Sequence, residues 1–138
     1  MNGKNITPAA YRQYHALAKH WASDVDFFKV ETVFLHHLLD DYFIRLSSPE
    51  YLEALKSVGA KLLQLEKDKY SADILLCKHL KNLEGQTEEL LFNHGELLED
   101  KHEQMEHVMT HLTSTYRTVK KELFFLVQQV IKAQQKIS

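Results

Sequence analysis

The segment LEDKHEQMEHVMTHLTSTYRTVKKELFFLVQQV, Leu98–Val130, carries the cleanest pattern in the chain. Alternating steps of three and four pick out Leu98, His102, Met105, Met109, Leu112, Tyr116, Val119, Leu123, Leu126 and Val130. That spacing lays one stripe of side chains along an α-helix. Upstream, Asn93-His94-Gly95 reads as a break, because glycine suits the left-handed residue that ends many helices. Before it a second stripe runs Tyr51, Leu55, Val58, Leu62, Leu65, Lys69, Ala72, Leu76, His79, Leu83, Gln86 and Leu90. Ser48-Pro49-Glu50 and Thr7-Pro8 are both start signals, a capping hydroxyl followed by proline in the first turn. The expected helices therefore cover about 8–46, 49–92 and 96–135, each of roughly 40 residues or ~60 Å.

Matched lengths joined by short turns predict an all-α, antiparallel up-down-up bundle of three long helices with coiled-coil-like packing. A four-helix bundle is the alternative, with the second segment split near Ser71 or Gly85. A glycine costs only about 1 kcal/mol inside a helix. A split at Ser71 would leave two half-length helices covering two long ones poorly. Three helices are the better fit, in a single domain spanning 1–138.

Composition agrees. Four Gly and two Pro in 138 residues are too few for the many turns of a β or α/β fold, while 44% apolar content is enough for one core. A net charge of −2 with both signs interspersed implies no basic face and argues against nucleic-acid binding. MNGKNITPAA has one lysine and no apolar run, so no signal peptide is expected, and no window reaches the ~18 apolar residues of a membrane span. The single cysteine, Cys77, leaves no internal disulfide to form and suits a reducing cytoplasm. It reads as a small residue beside the core row.

The first helix poses the sharpest question. In WASDVDFFKVETVFLHHLLDDYF, Trp21–Phe43, one apolar row reads Trp21, Asp24, Phe28, Glu31, Leu35, Leu38, Tyr42. Two acids thus occupy a row that should be buried. Level-matching across the two expected turns sets Asp24 beside Ser71 and Arg117, Glu31 beside Gln64 and Phe124, and Lys69 between those heights. Glu66, Asp73, Lys120, Lys121 and Glu122 fall within about a turn. A buried carboxylate without a partner is costly, whereas a paired one fixes helix register. Asp24, Glu31, Lys69 and Arg117 are therefore expected to form a structural polar layer. A carboxylate-bridged di-metal or hemerythrin-like centre is the competing reading. It needs a Glu-x-x-His on each of two helices. The only copy, Glu99–His102, lies roughly 40 Å from Glu31 on this alignment.

Nine histidines are unusual for this length. His107 and His111 have the i, i+4 spacing that lets two imidazoles share a metal. The same level-matching sets His15, His79 and His107 at one height, with His20 and His111 about a turn away. These five are the candidate ligands for zinc, iron, copper or haem. The competing reading is ordinary: His107 and His111 fall off the apolar stripe and face solvent, and His79 is a hydrogen-bonded core imidazole. His102 reads as a polar core position near a helix end. His36 and His37 each have an acid four residues on, Asp40 and Asp41, and read as exposed helix pairs. No nucleophile elbow or phosphate-cradling glycine loop is present, so no catalytic residue is expected.

Trp21-x-x-Asp24-x-x-Phe27-Phe28-x-x-Glu31-x-x-Phe34-Leu35 resembles the opening helix of a group of short, uncharacterised all-helical proteins of Bacteroidetes-type bacteria. Tyr116-x-x-Val119-Lys120-x-Glu122-Leu123-Phe124 is similar to that group's last helix. The two stretches cover about half the chain. The resemblance implies a small cytoplasmic helical bundle and brings no catalytic positions with it, since the group has no assigned activity. The expected function is therefore non-enzymatic: a self-associating bundle, dimeric because long three-helix bundles leave an apolar groove, or a module that presents a helical surface to a protein partner. The alternative is a histidine-rich metal or haem binder.

Overall fold

The computed structural model describes residues 7–86 and 88–137, with side chains described at 7–86 and 97–136. It holds three helices, α1 (Pro8–Leu46, 39 residues), α2 (Leu52–Glu84, 33 residues) and α3 (Glu88–Ile137, 50 residues), and no strand among the described residues. None of these helices is long and apolar enough to cross a membrane.

The start of α1 follows its sequence signal. Thr7 Oγ1 accepts a hydrogen bond from Ala10 N at 3.1 Å, and the Thr7 carbonyl accepts one from Tyr11 N at 3.0 Å. Two of the free N–H groups at the helix end are thereby satisfied, with Pro8 at the position that needs none. The first connection is longer than expected. Ser48–Tyr51 closes a tight turn through Tyr51 N to Ser48 O at 3.0 Å, so Pro49 lies in the turn and α2 begins at Leu52.

The second connection departs further from expectation. Asn93-His94-Gly95 does not break the chain; α3 runs straight through it, and α2 instead ends at Glu84. Gly85 has no positive φ, so the left-handed ending is not what stops the helix. The ending is made by partners for the last carbonyls. Lys81 O accepts from Gly85 N at 3.0 Å, Asn82 O from the Gln86 side chain at 2.7 Å, and Leu83 O from Gln86 N at 3.3 Å. Leu83 O also accepts the Tyr11 hydroxyl from α1. Helix ends need such acceptor partners, and here one comes from 72 residues away.

The chain divides into two packed units, and each helix contributes to both. Unit 1 comprises Met1–Phe27 and Tyr70–His111. Its core is Ala18, Trp21 and Val25 of α1 against Ala72, Leu76 and Leu83 of α2 and Leu98, Met105 and Met109 of α3. Unit 2 comprises Phe28–Lys69 and Leu112–Ser138. There Phe28, Leu35 and Leu46 pack with Leu55, Leu62 and Leu65 and with Leu112, Val119 and Leu123. Each fully buried aliphatic side chain contributes about 1.5–3 kcal/mol of transfer free energy.

All ten stripe positions of Leu98–Val130 are buried; of the second stripe, Tyr51, Lys69 and Gln86 are partly buried, the Leu90 side chain lies outside the described residues, and the other positions are buried. In α1 the expected row is displaced. The buried positions are Ala18, Trp21, Val25, Phe28, Thr32 and Leu35. The row therefore passes through Val25 and Thr32, and the acids at Asp24 and Glu31 flank it, half-buried.

Candidate functional site

The most buried polar arrangement lies in unit 1. His79 of α2 and His102 of α3 are 4% and 6% exposed, and His79 Nε2 lies 3.2 Å from His102 Nδ1. Both stand on the apolar stripes of their helices, so the packing that buries the stripes brings them together. The His102 ring stacks on Tyr14 at 4.1 Å and on Trp21 at 4.9 Å, both from α1. Burial drives the His79 pKa down to about 4, with His102 and Lys101 adding in the same direction. Burial likewise lowers His102, against the opposing pull of Glu106. Two neutral imidazoles can share one proton in a single hydrogen bond, whereas two imidazoliums could not share this space.

His79 Nδ1 is buried and has no hydrogen-bond partner. His79 forms part of the wall of a cavity of about 260 Å³ between α2 and α3, along with Leu75, Met105 and Val108 and the polar Lys78, Asn82, Lys101 and Gln104.

Unit 2 holds a different polar layer. Glu31 of α1 accepts the Tyr116 hydroxyl and the Lys120 ammonium, the latter at 3.2 Å, both from α3. The Tyr116 hydrogen bond holds the Glu31 carboxyl below its usual range, outweighing burial, with help from Lys120. The Lys120 pKa is raised by Tyr116 and Glu31, and burial with the Glu31 contact raises Tyr116. Lys120 also lies 5.6 Å and 5.5 Å from the ring centres of Tyr116 and Phe124. Beside this, the buried Thr32 hydroxyl accepts Lys69 Nζ at 3.2 Å, and Lys69 pairs with Glu66 at 3.2 Å. Burial pushes Glu66 up, but Thr32, Lys69 and His36 outweigh it and leave its pKa lowered.

Of the expected polar layer, Glu31 and Lys69 lie in unit 2 but in separate clusters, each with its own partner. Asp24 is half-buried in unit 1, and Arg117 is exposed in unit 2. His36 reaches Glu66 at 3.9 Å, across to α2 instead of along its own helix to Asp40.

Of the expected histidine cluster, His79 pairs with His102 and not with His107. His20, His107 and His111 are exposed, and His15 is half-buried with its Nε2 unpartnered and its ring stacked on Tyr11 at 6.2 Å. A structural zinc takes four protein donors and a catalytic one three. Among the described residues, no three His, Cys, Asp or Glu side chains come together to hold a metal. Cys77, expected beside the core, is exposed, with Sγ 3.9 Å from Asp73 Oδ1.

No family model matches the chain, and no curated protein or solved structure matches it.

Residues that carry the observed site but were not expected in it are His102, Tyr14, Tyr116 and Thr32, whereas Lys120 was expected within a turn of the acids. His102 was within reach of sequence reasoning. It and His79 are both polar residues on largely apolar stripes, and buried polar positions tend to pair.

Proposed function

We propose that this chain is a non-enzymatic, cytoplasmic helical-bundle protein that works through its surface, first by association with a second copy of itself. In this reading the three helices run up-down-up with coiled-coil-like packing. The contacts of unit 2 support that course: Thr32 meets Lys69, and four residues further along α1 His36 meets Glu66, three residues back along α2.

The observation that carries the proposal is the outward face of α1 in unit 2. Val30, Val33, Phe34 and Ile44 are 68%, 54%, 48% and 86% exposed, on the side of the helix away from Phe28, Thr32 and Leu35. Phe124 of α3 extends this apolar surface, edge-on to Phe34 with ring centres 6.3 Å apart. Scattered exposed apolar residues are ordinary, but Val30, Val33 and Phe34 lie within one turn of each other and adjoin Phe124, and such a patch marks an association surface. Its central position gives the test. Light scattering or sedimentation of the wild-type chain should report a dimer, and Phe34→Asp should shift it to monomer without loss of helicity. A wild-type monomer at high micromolar concentration, or a Phe34→Asp variant that stays dimeric, would overturn the proposal.

A further inference from the structure

The histidine pair of unit 1 and the carboxylate clusters of unit 2 respond to acid in different pH windows. We propose that His79 and His102 form an acid-operated release: on acidification Tyr14 and Trp21 of α1 leave the pair and unit 1 opens, while unit 2 stays packed.

Geometry makes the pair intolerant of added charge. The facing ring nitrogens, 3.2 Å apart, hold one proton between them, and a second would set two N–H groups head-on. A charged His79 would also keep an N–H at Nδ1, which is buried without a partner. The cover on this pair is aromatic: Tyr14 and Trp21 stack on His102 at 4.1 Å and 4.9 Å. Both histidines are at most 6% exposed, so water hydrates the rings when that cover moves.

The charged groups around the pair do not offset this. From α2, Lys78 stands in the same cavity wall as His79, and from α3, Lys101 opposes a charge on His79. Glu106 of α3 favours a charge on His102, yet burial outweighs it. From α1 comes the Tyr14 phenol, whose ionisation Glu99 and Glu103 oppose.

Opening hydrates both rings, so the open form takes up protons first. His79 titrates near 6.5 when free and near 4 when packed. That offset multiplies the open population of unit 1 about 30-fold between pH 7.5 and pH 5, and His102 adds to it. Unit 2 keeps its polar contacts over the same interval. Glu31 and Glu66 are held below their ordinary 4.5, so their contribution is lost only at lower pH. Protonated His36 adds a positive charge 3.9 Å from Glu66.

The full 138-residue chain is unfolded in urea at pH 7.5 and pH 5 with one probe in each unit. Emission of Trp21, the single tryptophan, reports unit 1; methyl resonances of the buried Leu62, Leu65 and Leu123 report unit 2. Acid should shift the Trp21 equilibrium towards the open form about 30-fold and the unit 2 equilibrium by less than about threefold, so that the two transitions separate. In a folded His79→Leu/His102→Leu variant the Trp21 transition should stay in place. Transitions that coincide at pH 5, or a wild-type Trp21 transition that does not move, would overturn the release without recourse to the variant. A Trp21 shift retained in the folded variant would overturn the role of the histidines.

Discussion

His79 Nε2 and His102 Nδ1 face each other across 3.2 Å with both rings buried, which makes the protein acid-sensitive at a nameable position. An unfolded histidine titrates near 6.5, whereas folded His79 is held near 4. The depressed pKa means that the unfolded chain takes up the proton first. Stability is therefore full above pH 6.5 and declines as the pH falls from there towards 4. The loss from this group is on the order of 3 kcal/mol. Urea midpoints measured across that interval should fall, and a His79→Leu/His102→Leu double variant should flatten the profile. An unchanged slope in the double variant would assign the acid sensitivity to carboxylates instead.

Glu31 and Tyr116 give a second prediction. Tyr116→Phe removes the donor that contributes most to lowering the Glu31 pKa and keeps the Lys120 contact. The expected cost is about 1–2 kcal/mol at pH 7. A carboxyl whose folded pKa is lowered stabilises the protein above its unfolded pKa, and that contribution is lost as the pH falls through the folded value. The penalty of Tyr116→Phe should therefore shrink below pH 4, as thermal unfolding at pH 7 and pH 3 would show. Glu31→Ala should also loosen unit 2, because it strips the Tyr116 hydroxyl and Lys120 of a shared acceptor.

Gly59 offers a gain in place of a loss. It sits inside α2, and a Cβ built there meets nothing within 4 Å. Gly59→Ala should raise stability by about 0.5–1 kcal/mol through the entropy of the unfolded chain. At Gly85 the added Cβ would lie 3.4 Å from the Lys81 carbonyl oxygen, so the same change there should be close to neutral. Denaturant midpoints of the two variants separate these outcomes.

Protein purified without an affinity tag should carry transition metal well below one equivalent, because the histidine pair supplies two donors and a stable site needs a third. A stoichiometric metal that disappears in His79→Leu would reverse this expectation.

The helical period was legible wherever one face alone is apolar. In Leu98–Val130 few apolar residues lie off the stripe, and every predicted stripe position is buried. In α1 the phase was ambiguous. Phe27, Val30, Val33 and Phe34 place apolar side chains on the outer face as well, so a row through Asp24 and Glu31 looked as good as the true one through Val25 and Thr32. The second break was not legible locally. Asn93-His94-Gly95 has the stronger turn composition, yet the end of α2 depends on the Tyr11 hydroxyl and the Gln86 side chain, of which the first is a tertiary contact. That displacement shifted the level-matching: His79 was set near residue 109 and meets His102, a slip of roughly two helical turns. The α1 phase and the longer first connection displaced the acids' partners as well.

The bond from the Tyr11 phenol to the Leu83 carbonyl ties the opening turn of α1 to the closing turn of α2. Fraying is usually a private matter for each helix terminus, but here the two ends share a latch. Amide exchange at Gly85 and Gln86 should therefore quicken when the chain is trimmed past Tyr11, and protease sensitivity at those two places should rise and fall together.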